Sequence, residues 1–126
     1  MRLGISIGAG LAIAFGFTAG EASAQNSQRS GTREFSGIAS FYDKNYQGKT
    51  ASGARYDSSK FTAAHRTLPF GTRVTVVEPR SHRVVTVVVN DRGPFIKGRV
   101  LDLSYSAAQA LHMTGRGLMK VTASAE

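Results

Sequence analysis

The chain has 126 residues, a formal net charge of +8 and no cysteine. That length suits one domain rather than several. The missing thiols exclude disulfide staples and cysteine-borne lipid, and the excess of Lys and Arg favours a polyanionic partner.

In chain order, the first element is not part of the fold. Arg2 precedes an apolar, Gly/Ala-rich stretch, LGISIGAGLAIAFGFTAG, which is followed by Ala22-Ser23-Ala24. A basic start, an apolar centre and a small-residue site predict a secretory signal peptide over residues 1–24. The alternative, an uncleaved membrane anchor, fits the glycine-rich centre less well. Cleavage after Ala24 removes one base, Arg2, and one acid, Glu21, so the charge of +8 is kept. The expected product is a periplasmic monomer with no remaining transmembrane span. Export makes nucleic acid an unlikely match for the basic surface. The bacterial wall, with carboxylates on its stem peptides, is the obvious exported alternative; a basic surface that only keeps the protein soluble explains the charge equally well.

Residues 25–36 are polar and aperiodic and predict a disordered lead. Order is expected from Gly37, within a domain over 37–124. Ile38 to Tyr42 suit a strand. Residues 43–55, with Gly48 and Gly53, predict a loop. Residues 58–71 are mixed and allow a single helical turn. Arg73 to Glu78 and Arg83 to Val89, rich in Val and Thr around the turn 79–82, predict a β-hairpin. A loop over 90–98 and a short strand over 99–103 follow. Ser104 or Ser106 then caps a helix of about two turns, and Ser106 with Gln109 fits a capping box. Gly115-Arg116-Gly117 ends it, and 118–122 predict a last strand. Short strands with one helix indicate a small β-barrel.

Few residues carry chemistry. Gly48-Lys49-Thr50 lacks the preceding glycine of a phosphate loop, because Asp43 stands there. His65, His82 and His112 have no zinc spacing, so no metal or other cofactor is expected. His82 falls in a turn and His112 near a helix end, which leaves His65 as the functional candidate. No serine sits in a nucleophile elbow. Among the carboxylates, Glu78 flanks a turn and reads as surface, and Asp43 and Asp57 flank the glycine-rich loop. Asp91 ends a buried strand, where partial desolvation suits a general acid; an Asx-turn with Gly93 and Pro94 explains it equally well. Asp102 points away from Leu101 and Leu103; a carboxylate serving the helix N-terminus explains it equally well.

Taken together, Gly37-Ile-Ala-Ser-Phe-Tyr42, Thr50-Ala-Ser-Gly53 with Arg55-Tyr56-Asp57, the run Thr62 to Val74 (TAAHRTLPFGTRV), Val89-Asn-Asp-Arg-Gly-Pro-Phe95 and Leu101-Asp-Leu-Ser104 resemble the rare lipoprotein A (RlpA-like) family of septal-ring lytic transglycosylases. The resemblance covers about residues 37–122. It implies a mainly β fold, a six-stranded double-psi β-barrel with one or two short helices, related to expansins. It implies binding of peptidoglycan glycan strands, preferably poor in stem peptides. The implied reaction cleaves the β-1,4 bond between N-acetylmuramic acid and N-acetylglucosamine and leaves a 1,6-anhydro end.

Carried over residue by residue, the resemblance makes Asp91 and His65 catalytic and places Asp102 in the carbohydrate groove. Tyr42 and Thr50, in the matching stretches, are expected to bind substrate. Arg66 and Arg92 are added on charge alone, as partners for a substrate carboxylate. One departure stands out: the family's glutamate after T-A-[SN]-G is Ala54 here. A lytic transglycosylase uses no water, because the tethered 6-hydroxyl attacks C1 with high effective molarity, so one carboxyl can suffice where hydrolysis takes two. The alternatives are a non-catalytic, expansin-like wall-binding or wall-loosening module and, third, a secreted effector or inhibitor built on the same barrel.

Overall fold

The computed structural model describes residues 33–126. The expected signal peptide and the first part of the expected lead, 25–32, lie outside the described residues. Six strands and one helix follow in order: β1 (Arg33–Phe41), β2 (Thr62–Ala64), β3 (Arg73–Glu78), β4 (Arg83–Asp91), β5 (Arg99–Leu103), α1 (Tyr105–Ala110) and β6 (Met119–Ala125). The strands close into a barrel in the order β1-β5-β2-β4-β3-β6. Two pairs are parallel, β1 with β5 and β2 with β4, and the other four are antiparallel. This mixed six-stranded closure is the expected double-psi barrel, with one short helix among the described residues.

Alternation along the strands builds the core. In β3, Val74 and Val76 point inward; in β4, Val85, Val87 and Val89 do; Leu101, Leu103 and Val121 join them from β5 and β6. Ala39, Ala63, Ala123 and Ala125 fill the remaining inward positions, where small side chains suit a narrow barrel. Each fully buried leucine or valine contributes about 1.5–3 kcal/mol. Leu111 and Met113, with Ala107 and Ala108 of α1, complete the cluster.

Several boundaries differ from expectation. Residues 33–36, assigned to the lead, are the first four of β1, paired antiparallel with residues 122–125 of β6. That pairing also carries β6 on to Ala125, past the expected end at 122. Residues 62–64 form β2 between β4 and β5 rather than a helical turn. Asn90 and Asp91 belong to β4 rather than to the following loop. Ser104 is the cap of α1, its side chain accepting from Ala107 N at 3.3 Å. The capping-box alternative fails because the Ser106 hydroxyl donates to the Lys60 carbonyl at 2.8 Å instead. Glu78, expected at the surface, is buried; its carboxylate accepts from Ser81 N at 2.8 Å and Arg80 N at 3.2 Å and so closes the hairpin turn.

Candidate active site

Four strands place one residue each in a single row. Ser40 of β1 pairs with Asp102 of β5, Asp102 with Ala64 of β2, and Ala64 with Asp91 of β4. A register shift between Ala63 and Ala64 brings Asp91 opposite Ala64. The adjacent residues Ala39, Ala63 and Leu103 point into the core, so the row faces outward. Ala64, between the two carboxylates, is fully buried. Two strand spacings, on the order of 10 Å, separate the Cα atoms of Asp91 and Asp102.

Asp91 is held from three directions. Its Oδ1 accepts from Ala51 N at 2.7 Å and from Arg92 N at 2.8 Å. Its Oδ2 accepts from the Tyr42 hydroxyl. Three donors thus surround a carboxylate expected from the sequence to be partly desolvated. The Ala51 donor arrives because the loop 50–54 docks on the end of β4, with Ser52 N donating to the Asn90 carbonyl at 3.2 Å. Thr50 shapes that loop rather than facing the groove. It is buried, its amide donates to the Ala54 carbonyl at 2.7 Å and its hydroxyl to the same oxygen at 2.9 Å.

Tyr42 joins two environments. Its ring stacks on Tyr56 with centroids 4.8 Å apart and leans on Tyr46 at 5.2 Å. Burial first, then the bond to Asp91 and the charges of Asp91 and Asp102, hold its phenol far above the ordinary tyrosine value. The hydroxyl therefore stays protonated and acts as a donor.

Asp102 is anchored through one oxygen. Oδ1 accepts from the Ser40 hydroxyl and from Arg99 Nη2, the latter at 2.9 Å. Oδ2 faces Gly93, where an added Cβ would lie 3.9 Å away. Gly93 has φ +124, a conformation that favours glycine. The same added Cβ would lie 3.6 Å from the ring of Phe95, which is 77% exposed. An exposed aromatic ring thus stands beside the open oxygen of Asp102.

His65 reaches the site through the backbone, its amide donating to the Asp91 carbonyl at 3.1 Å. Its Nδ1 accepts from the amides of Thr67 and Leu68, both at 3.1 Å. That fixes the neutral ring with its proton on Nε2, a donor rather than a base. Burial first, then the charges of Arg66, Arg92 and Arg33, push the imidazole below its ordinary value. Arg92 is committed to the fold: Nη1 donates to the carbonyls of His65 at 3.1 Å and Leu68 at 2.8 Å, and the guanidinium lies 4.1 Å from the Phe70 ring centroid. Arg66 Nη1 reaches the Arg99 carbonyl at 3.3 Å and the Pro94 carbonyl at 3.5 Å. Sequence reasoning missed Ser40, Arg99, Tyr56 and Phe95. Ser40, Tyr56 and Phe95 stood inside the quoted motifs, but the contact that joins Ser40 to Arg99 and Asp102 crosses between two strands and leaves no local signal. Among the described residues no three His, Asp or Glu side chains gather as a metal site.

A closed barrel with two parallel pairs, carrying two carboxylates on one outward row, defines a double-psi β-barrel domain. Residues 34–123 match the family model described as lytic transglycolase, and the chain belongs to that family. It is 53% identical over 90 residues, 69% of this chain and 24% of the other, to a Nostoc sp. protein named probable endolytic peptidoglycan transglycosylase RlpA. It is 52% identical over 83 residues, 65% of this chain and 28% of the other, to the endolytic peptidoglycan transglycosylase RlpA of Pasteurella multocida. The chain therefore spans about a quarter of the length of these curated relatives. Among solved structures, a Clavibacter michiganensis expansin in complex with cellohexaose shares the fold, with a TM-score of 0.60 at 20% identity over 75% of this chain and 50% of that one.

Proposed function

We propose that this barrel is an exported peptidoglycan lytic transglycosylase domain. It cleaves the β-1,4 bond between N-acetylmuramic acid and N-acetylglucosamine in stem-peptide-poor glycan and leaves a 1,6-anhydro end. The observation that carries this reading is the row Ser40–Asp102–Ala64–Asp91, which sets two carboxylates on either side of a small floor. The family membership and the names of the relatives support the same reaction class.

In the proposed chemistry, a carboxyl proton passes to the glycosidic oxygen as its bond to C1 breaks. The muramic acid 6-hydroxyl closes on C1, and its proton returns to the carboxylate. Asp91 is the proton carrier, and the Tyr42 hydroxyl and the Ala51 and Arg92 amides keep its two oxygens oriented. His65, with Nε2–H as donor, polarises the groove. Asp102, with Oδ2 open, takes a sugar hydroxyl, and the Phe95 ring offers a face for the pyranose. Because the attacking hydroxyl is tethered, proximity does much of what a second catalytic group does in a hydrolase. The domain works in the periplasm as a monomer after removal of residues 1–24.

A second reading, a wall-binding or wall-loosening module without catalysis, is favoured by one observation: Ala54 offers only an exposed methyl at the family's glutamate position. The two separate on incubation with stem-peptide-free glycan strands and mass spectrometry of the products. The enzyme yields 1,6-anhydromuramyl ends, and Asp91→Asn abolishes them. Sedimentation with sacculi but no such product at high protein concentration would overturn catalysis and leave the binding module.

A further inference from the structure

The Tyr42 ring continues outward through Tyr46 and Tyr56 into an open pocket of about 550 Å³, separate from the carboxylate row. Tyr46 and Tyr56 form part of its wall, edge to face with centroids 5.4 Å apart. Three cations, Lys44, Arg55 and Lys60, line the same pocket. Among the described residues the ion pairs are Arg73 with Glu126 and Arg99 with Asp102, so none of the three is neutralised by a carboxylate within 4.0 Å. The one acid in the lining, Asp57, is turned into its own loop, where Oδ1 accepts from Ser59 N at 2.9 Å and Ser59 Oγ at 2.6 Å.

The cations expected to meet a substrate carboxylate were Arg66 and Arg92. Both spend guanidinium donors on backbone carbonyls. Among the described residues Lys44, Arg55 and Lys60 have no such engagement, and the pocket they line lies one aromatic ring away from the Tyr42–Asp91 pair. An exposed aromatic ring, Tyr46, bounded by free cations suits a sugar that carries a carboxylate.

We propose that this pocket is an accessory subsite for a carboxylate of the peptidoglycan strand. The inference rests on the glycan-binding reading above. The carboxylate belongs either to a muramic acid lactyl group freed of its peptide or to a stem peptide still attached. The exposed Tyr46 ring, backed by the buried Tyr56, takes the sugar face, and the three cations take the charge. Occupation of this subsite places the strand against the rings that support Tyr42, and thus in line with Asp91.

The test uses the purified protein and binding of labelled glycan strands at low salt. Four strand preparations are compared: peptide-free strands, peptide-bearing strands, and each of these with its carboxylates blocked as ethanolamine amides. Each exposed charge pair is worth a factor of about 1.5–5, so blocking should weaken binding by about tenfold. In Lys44→Gln/Arg55→Gln/Lys60→Gln, with unchanged circular dichroism, blocking should make no difference, and affinity should match that of wild type for blocked strands. Preference for free carboxylates confined to peptide-free strands assigns the lactyl group, and one confined to peptide-bearing strands assigns the stem peptide. Equal binding of free and blocked strands by wild type, or a preference kept by the triple variant, overturns the subsite while leaving the glycan groove intact. Absence of binding to all four preparations overturns both.

Discussion

The Tyr42 hydroxyl donates to Asp91 Oδ2, across a contact between the end of β1 and the end of β4. The donor lies 49 residues from its acceptor, and its own ring is fixed by stacking on Tyr56. Tyr42→Phe removes the hydroxyl and keeps the stack. A hydrogen bond to a charged group is worth about 1.5–3 kcal/mol, so formation of 1,6-anhydro product should slow by about 10–100-fold. The melting temperature should change little. Full activity in Tyr42→Phe would show that Asp91 needs no such support.

Ala54 closes the loop that delivers Ala51 N to Asp91, and its side chain is exposed. Ala54→Glu should therefore be accommodated without repacking. If position 54 is a catalytic vacancy, the added carboxyl should raise the rate by about 10²–10⁴-fold, the usual range for a positioned acid or base. An unchanged rate, with glycan binding retained, would mean that the groove works with the carboxylates it has.

The two amides that donate to His65 Nδ1 require an unprotonated nitrogen there. The imidazole is held below its ordinary value of 6.5, chiefly by burial. Above that value both folded and unfolded chains carry a neutral ring, and the full stability is present. As pH falls below about 6.5 the unfolded chain binds the proton first, so stability drops until the folded ring titrates as well. Melting temperature should decline from about pH 7.5 to about pH 5 in the wild type. The decline should be shallower in His65→Asn, whose side-chain oxygen can accept from the same amides. Parallel pH profiles for the two proteins would remove His65 as the cause.

Arg92 is expected to act on the fold and not on the substrate. Arg92→Ala leaves the carbonyls of His65 and Leu68 without their donor and the Phe70 ring without its cation. Each lost partner costs about 1–3 kcal/mol where the group is shielded. A clear fall in melting temperature, with KM for glycan unchanged at a temperature where the variant is folded, is the expected pattern. Wild-type stability with a raised KM would return Arg92 to the substrate side.

The readable parts of this sequence were those with local causes. The Val and Thr alternation of residues 73–78 and 83–89 marks a hairpin without any partner in view. Asp91 with Gly93-Pro94 marks the end of a strand in the same way. What escaped was decided by distant chain. Arg33 to Ser36 have no strand signature of their own and become β1 only because residues 122–125 pair with them. Ser104 and Ser106 are equal candidates for a helix cap until the Lys60 carbonyl engages Ser106. The three donors to Asp91 include a backbone amide 40 residues away, and a backbone amide has no side-chain signature. Arg92, chosen for its charge, is spent on carbonyls that only folding brings within reach.

The row Ser40–Asp102–Ala64–Asp91 has a mechanical corollary. The gap between the two acids is measured out by hydrogen-bonded strands in a closed barrel, not by a flexible arm. No hinge lies between them, so the barrel itself fixes the distance between the two carboxylates. On the proposed reading, changes in the surrounding loops should alter which glycan binds and how long it stays, while the spacing of the two acids stays constant.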